Sequence, residues 1–204
     1  MNLGGTSARC GLVGSNNYDS PKNGKGGPLA SSVQKVYSSN EEITVDVVLT
    51  AHHKGHFVLK ACPIEEGEVP TQACFDSYLL TFVEDLLYGA PVDVNYPERG
   101  YIAPSNHPGM IHDNTGVPGY LFTHKYRLPQ GLSGDLVLLQ WHYFTANSCV
   151  YDGYDSYPWP DSSWDPNLAV CGNIPADGNG VPEQVCNLSY NLNFNVFPHT
   201  LIQI

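Results

Sequence analysis

Three histidines, His52, His53 and His56, crowd one short stretch of the chain. Imidazole is a ligand for copper, zinc and iron, and copper binds most tightly of the common divalent ions. On a strand, neighbouring side chains point to opposite faces, so His52 and His53 do not chelate one metal together. One of them, at an exposed strand end, can act as a single ligand. By residue type alone, a His-rich loop is more often solvated than metal-binding. His142 shares a strand face with Gln140, which by type alone is an ordinary sheet-face arrangement. Tyr151, Tyr154, Tyr157, Trp159 and Trp164 form an aromatic-rich stretch. Such rings stack on sugar faces, and they also anchor ordinary loops. His107 and His112 show no recognisable partner spacing. Asn187-Leu188-Ser189 is a glycosylation acceptor in an exported protein. No Ser-His-Asp order, phosphate loop or kinase signature is visible.

These residues sit among short strands. Ile43, Val45, Val47 and Leu49 alternate with Glu42, Thr44 and Asp46, as in a half-buried strand. A second run, 56–61, follows after the loop Thr50–Gly55. Residues 77–88 read equally as strand or helix. Residues 89–119, rich in Pro, Gly and Asn, read as a long irregular excursion. Tyr120 to Leu128 alternates again, and Leu136 to Phe144 is apolar enough for a central strand. With Gly/Pro-rich connections, this predicts an all-β, immunoglobulin/fibronectin-III-like antiparallel sandwich with long loops, one domain over 1–204. Residues 1–9 and 188–204 are atypical of it.

Lys and Arg total 9 against 20 Asp and Glu, a net charge of −11. That argues against nucleic acid, which recruits basic patches. No apolar run is long enough to span a membrane. The 6 cysteines, with no C-x-x-C among them, fit three disulfides and an oxidising, extracellular compartment. No leader is evident after Met1, so Met1 is not expected to be the natural start. Cys62–Cys74 closes a short loop at low entropic cost. Cys149–Cys171 is the next pair, leaving Cys10 and Cys186 to join the two ends.

The segment Leu49-Thr50-Ala51-His52-His53-Lys54-Gly55-His56-Phe57 resembles the second-histidine motif of lytic polysaccharide monooxygenases. The similarity is to the chitin-binding type-4 group, especially its eukaryotic branch. That motif reads Thr-Ala-x-His, commonly continued by Lys-Gly and an aromatic. Cys62-Pro63 and Cys74-Phe75-Asp76 are similar to the family's Cys-containing hairpin. Leu138-Leu139-Gln140-Trp141-His142-Tyr143, then Ala146-Asn147-Ser148-Cys149, resembles its Leu-Gln-Trp-x-Tyr strand. Pro182-Glu183-Gln184 is similar to the start of its closing segment. The resemblance runs from about Cys10 to Cys186, and the order and spacing of the pieces make it specific.

The resemblance implies a copper-dependent oxidation of β-linked polysaccharide, chitin or cellulose. It implies a histidine brace, in which an N-terminal histidine gives its amine and ring and a second histidine adds a third nitrogen. By motif position that second ligand is His53, and Ala51 is the small residue over the metal face. Gln140 is expected at the catalytic site, with Tyr154, Tyr157 and Trp159 on the polysaccharide. The protein is expected to be secreted and monomeric. Two departures stand out. No histidine precedes His52, so this chain is expected to carry half the site and bind copper weakly. Val185-Cys186-Asn187 follows Gln184 directly, without the aromatic residues of the family's closing segment. The alternatives are a non-catalytic chitin-binding module and an extracellular structural domain without a ligand.

Overall fold

The computed structural model describes residues 35–65, 71–113, 118–171, 183–187 and 202–203. In order, the strands are β1 (Lys35–Val36), β2 (Glu42–Leu49), β3 (His56–Ile64), β4 (Thr81–Asp85), β5 (Gly100–Tyr101), β6 (His112–Asp113), β7 (Gly119–Arg127), β8 (Leu136–Phe144), β9 (Glu183–Asn187) and β10 (Ile202–Gln203). A short helix, α1 (Gln72–Asp76), lies between β3 and β4. One sheet runs β1-β10-β8-β3-β5, with β9 also on β8; the other runs β2-β7-β4, with β6 also on β7. The pairings are antiparallel apart from β1 with β10. The two sheets pack as the expected sandwich.

The period-2 pattern explains which side faces inward. In β7, Phe122, His124 and Tyr126 are buried while Leu121, Thr123 and Lys125 are partly exposed. In β2, Ile43, Val47 and Leu49 face the same core. From the opposite sheet come Phe57, Leu59, Trp141 and Tyr143. Phe57 joins the layers: its ring centroid is 5.7 Å from Phe122 and 5.3 Å from Trp141. Burial of such large rings contributes strongly to the apolar stabilisation of the fold.

The ambiguous stretch 77–88 has a physical explanation. Tyr78 and Leu80 hydrogen-bond to Ala61 and Leu59 on the edge of β3, and the chain then enters the other sheet as β4. A segment that changes sheets does not hold one alternation. A register shift between Phe82 and Glu84 disturbs the pattern further. The excursion 89–119 is less irregular than expected, since it supplies β5 and β6. Two buried carboxylates organise its start. Asp85 accepts from the amides of Leu87, Tyr88 and Ala90, and Asp93 from those of Asn95 and Tyr96.

Two of the expected disulfides are present. Cys62–Cys74 ties α1 to β3, and Cys149–Cys171 closes the loop after β8. The third expected pair involves Cys10, which lies outside the described residues.

Candidate functional site

The histidine cluster occupies the turn from β2 to β3. Lys54 and Gly55 both have positive φ, 54° and 99°. Lysine rarely adopts this conformation, and glycine adopts it freely. Glycine is also required by space, because a Cβ on Gly55 would overlap the carbonyl oxygen of Phe144. The turn therefore lies directly against the end of β8.

His52 and His53 separate, as alternation suggested, but in a loop rather than a strand. His52 turns inward, its ring centroid 5.3 Å from Tyr120 and 5.7 Å from Phe122. Its Nδ1 accepts the Lys54 N–H at 3.1 Å. An N–H can only donate, so the proton of the neutral ring is on Nε2. That Nε2–H donates to the Ala103 carbonyl at 2.8 Å. Burial lowers the His52 pKa and favours this neutral form. Both ring nitrogens are committed, so His52 is not available as a ligand.

His53 differs. It is partly exposed, beside exposed Ala51, and among the described residues its ring makes no hydrogen bond. Its backbone is held firmly. The Tyr143 hydroxyl accepts the His53 N–H at 2.9 Å and donates to the Lys54 carbonyl at 2.7 Å. Burial pushes the Tyr143 pKa up, so the phenol keeps the proton it donates. The Ala146 N–H donates to the His53 carbonyl at 2.9 Å. Among the described residues no three His, Cys, Asp or Glu side chains gather as a metal cage. One nitrogen donor, His53, fits copper's preference for imidazole.

A family profile described as "Lytic polysaccharide mono-oxygenase, cellulose-degrading" matches residues 5–157. The chain belongs to this family. A similar solved structure is the lytic polysaccharide monooxygenase AA15 from Thermobia domestica in the Cu(I) state. The two are 24% identical with a TM-score of 0.41, over 57% of this chain and 49% of that one. The match thus spans about half the length of that chain. No curated protein matches. Lytic polysaccharide monooxygenases are copper-dependent, bind and oxidatively cleave polysaccharide, and are typically secreted.

In this member of the family, the other expected site residues do not gather around His53. Gln140 is fully buried beneath α1, where its amide exchanges two 3.1 Å hydrogen bonds with Gln72. Gln140 pairs with Lys60, whereas the His53 turn adjoins the His56–Phe144 pair. Four residue steps along β8 separate these pairs, about 13 Å at ~3.3 Å per residue. His142 lies between, stacked on Phe144 at 3.8 Å.

The aromatic stretch forms a second apolar layer on the outer face of the β5-β3-β8 sheet. Tyr154 and Tyr157 are only 2% and 4% exposed, so their rings are not open to a sugar. Tyr154 Oη and His56 Nδ1 share a 2.6 Å hydrogen bond. Tyr157 stacks on Tyr101 at 3.8 Å and donates to the Pro91 carbonyl at 2.6 Å. These two tyrosines anchor the loop, and the reason is plain: the sheet's outer face carries His56, Tyr101 and Phe144, which need cover. Trp159 alone of the expected trio stays partly exposed.

Sequence reasoning assigned no role to Tyr143 and did not single out His124. Alternation could have placed both on inward faces, with Trp141 and with Phe122 and Tyr126. No local signal showed that the Tyr143 hydroxyl would reach the His53 backbone, 90 residues away in sequence.

Proposed function

We propose that this protein oxidatively cleaves a β-linked polysaccharide, chitin or cellulose, with copper held in part by His53. It groups with the chitin-binding type-4, eukaryotic branch of the family, as a single domain over 1–204. The observation that carries the reading is His53 itself: a partly exposed imidazole on a clamped turn, in a chain of this family. The brace's other histidine belongs at a mature N-terminus, and residues 1–51 hold no histidine. Copper, when bound, supplies one-electron and dioxygen chemistry.

The chain's own residues give position and exposure. His53 offers a ring nitrogen at the surface, where an insoluble substrate can approach. Exposed Ala51 beside it leaves that approach open. Trp159 offers a ring for sugar stacking. Gln140 acts at a distance, by keeping β8 and α1 in register through Gln72.

The test is copper titration with electron paramagnetic resonance, on the 204-residue chain and on a form whose mature chain begins with histidine. The extended form should bind several orders of magnitude more tightly, because each added nitrogen donor strengthens a copper site. It should also release oxidised oligosaccharides from chitin or cellulose in the presence of a reductant. Unchanged copper binding after His53→Ala in the extended form would refute the assignment. The second reading, a non-catalytic polysaccharide-binding module, rests on the partly exposed Trp159 ring, which can stack on a sugar without any metal. It predicts binding to chitin with no copper dependence.

A further inference from the structure

We propose that Tyr143 and His52 are positioning residues for His53, holding the turn from both sides so that its imidazole is presented in one orientation. The inference rests on the reading of His53 as a copper donor. From His53 to Gly55 the backbone groups are almost fully accounted for. The His53 N–H and the Lys54 carbonyl both go to the Tyr143 hydroxyl. The Lys54 N–H goes to His52 Nδ1, and His52 Nε2–H reaches across to the Ala103 carbonyl. The His53 and Gly55 carbonyls take the N–H groups of Ala146 and Ile102. Two side chains thus supply three of the bonds to the turn's own backbone, and between them they hold the peptide on either side of His53.

The geometry suits positioning. Tyr143 is rigid, because its ring packs in the core against Phe57 at 5.3 Å and Trp141 at 5.8 Å. Its hydroxyl emerges at the end of the sheet, where the turn crosses. His52 is rigid for a similar reason, lying against Tyr120 and Phe122. With the peptides on both sides fixed, the remaining freedom of His53 is rotation about its own side-chain bonds. Groups that orient a ligand from behind in this way are as much a part of a metal site as the ligand. The paired histidines of the motif therefore divide the work: one holds the turn and the other faces outward.

The experiment uses the full chain, labelled for amide hydrogen exchange, with Cu(II) ions alone as the probe. The variants are Tyr143→Phe and His52→Phe, which keep the rings and delete the bonds. Tyr126→Phe is the control, since its hydroxyl contacts Phe57 and not the turn. Exchange at His53 should quicken in Tyr143→Phe, and at Lys54 in His52→Phe, by roughly ten-fold, the scale of one lost hydrogen bond. Cu(II)-induced broadening of the His53 ring signals should need more copper in both. The Leu59 amide in β3, and the control variant throughout, should match wild type. Unchanged exchange at both amides, or unchanged copper response despite faster exchange, overturns the proposal. Equal effects of Tyr126→Phe overturn it too, because they would mean general loosening. If His53→Ala leaves the Cu(II) affinity measured by titration calorimetry intact, the metal reading fails instead, and the exchange rates still decide whether the two side chains hold the turn.

Discussion

Gly55 passes so close to Phe144 that a methyl group added to it would overlap the Phe144 carbonyl oxygen. Its φ of 99° would also strain any other residue. Gly89 provides a contrast, with φ of 75° and nothing within 4 Å of an added Cβ. Gly89→Ala should then cost only the conformational strain, on the order of 1 kcal/mol. Gly55→Ala should cost clearly more, about 3 kcal/mol or above, because strain and overlap add. Urea denaturation of both variants checks this, and equal losses would show that the close approach to β8 is relieved cheaply.

His124 gives the fold an acid sensitivity. It is 1% exposed, among Phe57, Phe82, Phe122 and Tyr126, with Asp85 Oδ1 4.0 Å from Nε2. Burial holds its pKa at about 4, against an ordinary 6.5, despite the opposing pull of Asp85. The unfolded chain therefore binds a proton at His124 between pH 6.5 and 4 while the folded chain does not. The stability from keeping it neutral is whole above pH 6.5 and is lost as pH falls towards 4. Melting temperatures across this window should fall less steeply in His124→Phe than in wild type. Parallel curves for the two proteins would assign the acid sensitivity to other groups.

The two observed disulfides make separable contributions. Cys62–Cys74 spans 12 residues and Cys149–Cys171 spans 22. Each should contribute about 3 kcal/mol by constraining the unfolded chain, the longer loop slightly more. Paired Cys→Ser variants, compared by denaturant unfolding, measure this. Non-reducing peptide maps should show both links, and a Cys62 partner other than Cys74 would contradict the structure.

The aromatic layer should separate stability from binding. Tyr154→Phe deletes the hydroxyl on His56 Nδ1 and leaves a buried ring nitrogen without that partner. The expected loss is about 1–3 kcal/mol of stability with polysaccharide binding unaltered. Trp159→Ala should weaken retention on chitin or cellulose, an effect absent from Tyr154→Phe. It should lower the melting temperature as well, because its ring packs on Tyr101, Tyr154 and Tyr157 and its indole N–H donates to the Tyr154 carbonyl. Retention equal to wild type would remove Trp159 from the substrate surface.

Sequence alone determined the fold class, because alternation in β2 and β7 and the apolar run of β8 are local patterns that any sandwich must show. It also carried the family resemblance and the Cys62–Cys74 and Cys149–Cys171 pairs, where short separations limit the options. Only the tertiary structure decided what each group touches. His52 became a tether because Ala103 arrives from a distant loop, and Tyr143 became a clamp because β8 ends against the turn. Gln140, Tyr154 and Tyr157 looked available for chemistry by type, yet α1 and the loop after β8 fold over that sheet face and bury them. Residue type limits what a side chain can do. Burial and hydrogen-bond partners select among those options, and both depend on segments far apart in the chain.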